Sequence, residues 1–148
     1  MTGTVALSKI LHVRENEKLD AQKAYHHSME LFEEIALQLY NLLRKKEAAE
    51  ESYEGFLQRS IAIDKIKEQA TYIERINKQI NVLQASVQKA RSEMETRQEE
   101  LTHAHVEVKK FEKIMEHRRM SREEEIKKIE NATMDELSIQ QYLSHGYR

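Results

Sequence analysis

Apolar side chains recur along this chain at alternating steps of four and three residues. From Leu7 they fall at Leu11, Ala21, Tyr25, Phe32, Ile35, Leu39, Leu42, Ala49, Tyr53 and Phe56, and only Arg14, Lys18, Ser28 and Lys46 interrupt the series. A 3.5-residue repeat held this long is the stripe of a supercoiled helix, with the charged and amide positions on its solvated back. A second stripe runs Ile73, Ile76, Ile80, Leu83, Val87, Ala90, Met94, Arg97, Leu101, Ala104, Val108, Phe111 and Met115, with Ile66 extending it toward the N-terminus. Beyond Met115 it decays, because Arg118, Arg122 and Glu125 are charged before Ile129 restores an apolar position. The decay places the end of a partner helix near Met115.

The phase of the repeat breaks between Gly55 and Ile63, where Ser60 is read as the N-cap of the second helix. So short a break sends the second helix back along the first. The expected fold is all-α: an antiparallel coiled-coil hairpin whose longer helix extends about 100 Å at 1.5 Å per residue. Helix one covers about residues 5–57, the turn 58–62 and helix two 63–130, with a short helical tail over 131–148. Pairing about residue 60 sets Leu11 opposite Phe111 and Phe32 near Val87 and Ala90, and leaves Glu116 to Glu130 as an overhang. Asn131 is read as the end of helix two, and Thr133 with Glu136 as a capping box for a last amphipathic segment from Asp135 to Ser144.

Composition sharpens this picture. The chain has 148 residues, no proline, no cysteine and three glycines, while Ala, Leu, Glu, Lys and Arg make up just under half of it. Such counts belong to a coiled coil and exclude a β-sandwich or a doubly wound α/β fold. Without cysteine there is no disulfide, thiol nucleophile or thiolate zinc site. Gly3, Gly55 and Gly146 lie too far apart for a P-loop or a dinucleotide fingerprint. No apolar run is long enough to span a membrane, and Met1 to Leu11 lacks the features of a signal peptide, so the cytoplasm is the expected location. The formal net charge is −2 and neither half is strongly basic, so nucleic acid is not an expected partner.

Candidate chemistry is sparse. His103 and His105 point in different directions on a helix, and Glu100 with His103 gives one Glu-x-x-His pair where a di-iron bundle needs two. His12, His26 and His27 form no better set, so neither metal nor other cofactor is expected. A two-helix fold offers no dry pocket in which carboxylates could be tuned, so the chain is read as no enzyme, with no small-molecule substrate. Lys109, Lys110, Lys113, Arg118, Arg119, Arg122, Lys127 and Lys128 are interleaved with glutamates, the pattern of a solvated face. On the overhang, however, Met115, Met120, Ile126 and Ile129 lose their intramolecular partner, which makes that face a candidate docking surface.

Three segments carry a family resemblance. Leu7-Ser8-Lys9-Ile10-Leu11-His12-Val13-Arg14-Glu15-Asn16-Glu17-Lys18, His105-Val106-Glu107-Val108-Lys109-Lys110-Phe111-Glu112-Lys113 and Met134-Asp135-Glu136-Leu137-Ser138-Ile139 resemble the FliJ family of bacterial flagellar type III export. That resemblance implies a coiled coil similar to the axle of rotary ATPases. It implies insertion in the export ATPase hexamer, promotion of ring assembly, a link to the export gate protein FlhA, and handling of export chaperones. It also implies a peripheral position on the cytoplasmic side of the membrane at the flagellar base. By the same resemblance, the open end of the hairpin should meet the ATPase ring through Leu7, Leu11, Arg14, Met115, Arg118, Arg119, Arg122 and Ile126. The turn-proximal part should meet the gate through Gln38, Leu42, Ala49, Tyr72 and Ile76. The competing reading from another class is a prefoldin-like or tethering coiled-coil chaperone, which heptads alone would fit equally well.

Overall fold

A computed structural model describes residues 2–146. Two helices account for nearly all of them: α1 over Thr2–Gln58 and α2 over Ile63–Gly146. Every position of the first sequence stripe is buried or half-buried, and so is every position of the second as far as Met115. The heptad pattern therefore selects the packed faces directly, since only a 3.5-residue repeat keeps one stripe facing a supercoiled partner.

Packing forms two units. In one, Leu19–His103, the stretch of α1 after Leu19 runs antiparallel to the beginning of α2. Its centre is a cluster of Ala49, Ile76 and Ile80, all at most 5% exposed, with Leu39, Leu42 and Ile73 packed against it. Gln69 donates its Nε2 proton to the Ala49 carbonyl at 3.1 Å, a polar tie between the helices. Farther from the turn the Arg91 guanidinium lies 5.8 Å above the Phe32 ring, and the buried Ser28 hydroxyl is satisfied by the Tyr25 carbonyl at 2.7 Å. The other unit joins the chain up to Lys18 to the chain from Ala104 onward. Val108 is its buried centre at 3% exposure, and the ring of Phe111 is covered by the Arg14 guanidinium at 5.9 Å.

The link reverses the chain in a way that alters the reading of Ser60. Its φ is +54°, in the left-handed region, and the Ile61 N–H reaches back to the Phe56 carbonyl at 3.4 Å. That six-to-one bond is the signature of a Schellman motif, with Ser60 as the residue that ends α1. Ser60 is thus not the N-cap of α2: the Lys65 and Ile66 amides both donate to the Ala62 carbonyl, so Ala62 opens that helix. A left-handed residue is needed to turn the chain, and serine occupies it at a cost glycine would not incur. Ser60→Gly should therefore stabilise the fold by about 1 kcal/mol and raise the thermal midpoint by about 3 °C. An unchanged or lower midpoint in thermal unfolding followed by circular dichroism would remove this account of the turn.

A second correction concerns the far end. α2 does not stop at Asn131 but continues unbroken to Gly146, and every described residue from Glu116 onward is exposed. The expected overhang of Glu116 to Glu130 is accordingly too short. The Thr133 hydroxyl donates to the Ile129 carbonyl at 2.9 Å, four residues back, instead of capping a new helix. Asparagine and threonine cap only where the backbone leaves the helical region, and no glycine or proline forces it to do so before Gly146.

Candidate functional site

The open end is built from the start of α1 and the part of α2 where its stripe decays. A shallow groove of about 460 Å³ is lined by Thr4 and Leu11 from α1 and by Met115, Arg118, Arg119 and Arg122 from α2, with Glu112 and Glu116 on its border. Five of the eight residues expected to meet a ring thus come together. Arg14 lies apart, stacked on Phe111 and held by both carboxylate oxygens of Glu17 at 3.0 Å. Ile126 is separate too, lining a neighbouring depression with Met120, Glu123, Glu124 and Lys127. Leu7 is half-buried in the seam and borders neither.

The charges at this end are not equivalent. Arg119 bonds Glu116 and Glu123 within its own helix, which raises its pKa, chiefly through the Glu116 hydrogen bond. Glu116 is correspondingly held below the usual carboxylate range, first by that same hydrogen bond. A depressed carboxylate stabilises the fold above its unfolded pKa and loses that contribution as pH falls through the folded value. Both groups are fully exposed, so this is a local staple of the helix. Arg118 and Arg122 make no ion pair among the described residues, leaving two cations beside the apolar floor of Leu11 and Met115.

The turn-proximal set is not assembled as expected. Ala49 and Ile76 are 4% and 3% exposed and pack in the central cluster, so they have no surface to offer a partner. The reason lies in the repeat itself, since both occupy stripe positions whose spacing buries them. Gln38 is exposed and Leu42 half-buried, and together with Asn41, Lys45, Lys78, Gln79, Val82 and Leu83 they line a groove of about 570 Å³. Tyr72 stands outside that groove at 41% exposure. Sequence reasoning passed over this groove, although Val82, a β-branched residue off the stripe and 66% exposed, was a signal for it.

The polar candidates are solvated. His103 and His105 are exposed, Glu100 is paired with Arg97, and among the described residues no group of three His, Cys, Asp or Glu side chains is placed to hold a metal ion. Among the same residues no helix is long and apolar enough to cross a membrane.

Comparison with known proteins adds a family. The family described as "Flagellar FliJ protein" matches residues 3–146. A curated protein of that description from Bacillus subtilis (strain 168) is 32% identical over 139 residues, covering 94% of this chain and 95% of the relative. No solved structure matches significantly.

Proposed function

The chain belongs to the flagellar FliJ family, and from that premise we propose that it is the non-enzymatic central stalk of the flagellar export ATPase. In this reading it sits in the hexameric ring, promotes the ring's assembly and activity, couples it to the gate protein FlhA and handles export chaperones. It works in the cytoplasm, peripherally bound to the membrane at the flagellar base. One observation supports it above the rest: at the open end α2 continues past its partner with every described residue exposed, beside a groove of Leu11, Met115, Arg118 and Arg122. A helix that outruns its intramolecular partner and keeps apolar and cationic side chains has surface to spend on another protein. Adding the purified chain to the export ATPase should raise its rate of hydrolysis and shift it toward hexamers. If neither changes, the stalk reading fails.

Gate coupling falls to the turn-proximal unit, with Gln38, Leu42 and Tyr72 as the accessible members of the expected set. Tyr72 is the discriminating residue, because it lies beside the packed stripe and keeps 41% of its surface exposed. Tyr72→Ala should weaken FlhA binding about tenfold in a titration and leave the thermal midpoint within about 2 °C of the parent. Unchanged gate affinity, or an unfolded variant, would take Tyr72 out of the contact.

A further inference from the structure

We propose that the start of α1, from Thr4 to Lys18, is a strap that lifts from α2 as one piece and uncovers Val108, Phe111 and Met115. The inference needs only the isolated chain and does not depend on the stalk reading. Four observations in this unit carry it.

First, the strap meets α2 through Thr4, Leu7, Leu11, Arg14 and Lys18, only two of them large aliphatics and two of them charged, and none reaches the burial of Ala49, Ile76 and Ile80 in the other unit. Second, Val5, Ile10 and Val13 are 56%, 39% and 50% exposed, so most of the strap's large aliphatic side chains contribute little to holding it down. Third, the Arg14 Nε is buried and has no hydrogen-bond partner among the described residues. Its other tie, to Glu17, stays within the strap, which leaves the Phe111 ring as its hold on α2. Closing the strap therefore desolvates a donor without replacing its water.

Fourth, the leading end of α1 meets a like charge. The first turn contains no acidic residue, and Arg118 Nη1 lies 2.9 Å from where a Cβ on Gly3 would stand. A guanidinium beside the positive end of a helix dipole opposes docking. The absence of a side chain at Gly3 permits that approach but does nothing to offset it. What lies beneath is apolar: Val108 at 3% exposure, with Phe111 and Met115 half-buried. Local opening at free energies well below global unfolding is expected where contacts are this thin.

The test uses the full chain, which has no cysteine of its own. Val108→Cys and Ile80→Cys place one thiol each at sites of comparable burial, 3% and 5% exposed. Under native conditions the thiol at 108 should be alkylated at least about tenfold faster than the thiol at 80, because only the former lies under the strap. Adding Arg14→Leu removes the orphaned donor and should slow labelling at 108 about tenfold while leaving position 80 unchanged. Arg118→Gln should act in the same direction by relieving the like charge, which keeps the test informative if Arg14→Leu fails to fold. Equal labelling at 108 and 80, or labelling at 108 that is unchanged or faster in both variants, overturns the strap.

Discussion

Ile76→Asp should unfold this protein near physiological temperature, whereas Ile129→Asp should be almost silent. Ile76 is 3% exposed and packs with Ala49 and Ile80 at the centre of the turn-proximal unit. An aspartate there either ionises without a partner or takes up a proton, and both leave a polar group among aliphatic side chains. The cost should be about 4 kcal/mol or more, lowering the thermal midpoint by about 12 °C or more. Ile129 belongs to the same sequence stripe yet is 61% exposed on the unpartnered part of α2. Its substitution should change stability by less than about 0.5 kcal/mol. Thermal unfolding of the two variants side by side decides the matter. Comparable losses would mean that the free part of α2 has a partner within the chain after all.

Truncation after Glu116 should separate stability from function. Each described residue it removes is exposed, so the packed faces of both units stay in place apart from the approach of Arg118 to Gly3. Helical ellipticity should fall by about a fifth, the share of the two helices that is deleted, while the midpoint moves by no more than about 3 °C. Stimulation of the export ATPase should be lost, because the deletion takes Arg118, Arg119, Arg122 and Ile126 together. Full stimulation by the truncated chain would move the ring contact elsewhere. A large fall in the midpoint would show instead that the deleted segment supports the fold.

Much of this architecture was legible in the order of residues. The two stripes name the buried faces residue by residue, and the decay after Met115 marks where burial stops. Burial follows periodicity here because two long helices have one way to hide a narrow apolar stripe, which is against each other. Family membership was legible as well, in the runs from Leu7 to Lys18, His105 to Lys113 and Met134 to Ile139. Local capping was not. Ser60 and Thr133 belong to residue types that can cap, bond back to the preceding turn or sit left-handed, and the choice depends on the backbone path around them. For Ser60 that path is the reversal of the chain; for Thr133 it is an uninterrupted helix.

The candidate site divides in the same way. Sequence alone determined that Arg118, Arg119 and Arg122 lie where the partner helix runs out, since this follows from counting heptads on either side of the turn. Arg119 is taken up by Glu116 and Glu123 within its own helix, a pairing that their spacing of three and four residues already allows, whereas the approach of Arg118 to the uncompensated start of α1 was decided only by packing. Packing also placed Gln38 and Leu42 on a groove with Val82, while the burial of Ala49 and Ile76 was already implied by their stripe positions. A repeat fixes the direction each residue faces on its helix. Accessibility, orphaned donors and the meeting of like charges depend on what the other helix places opposite, and that is set only when the two are packed together.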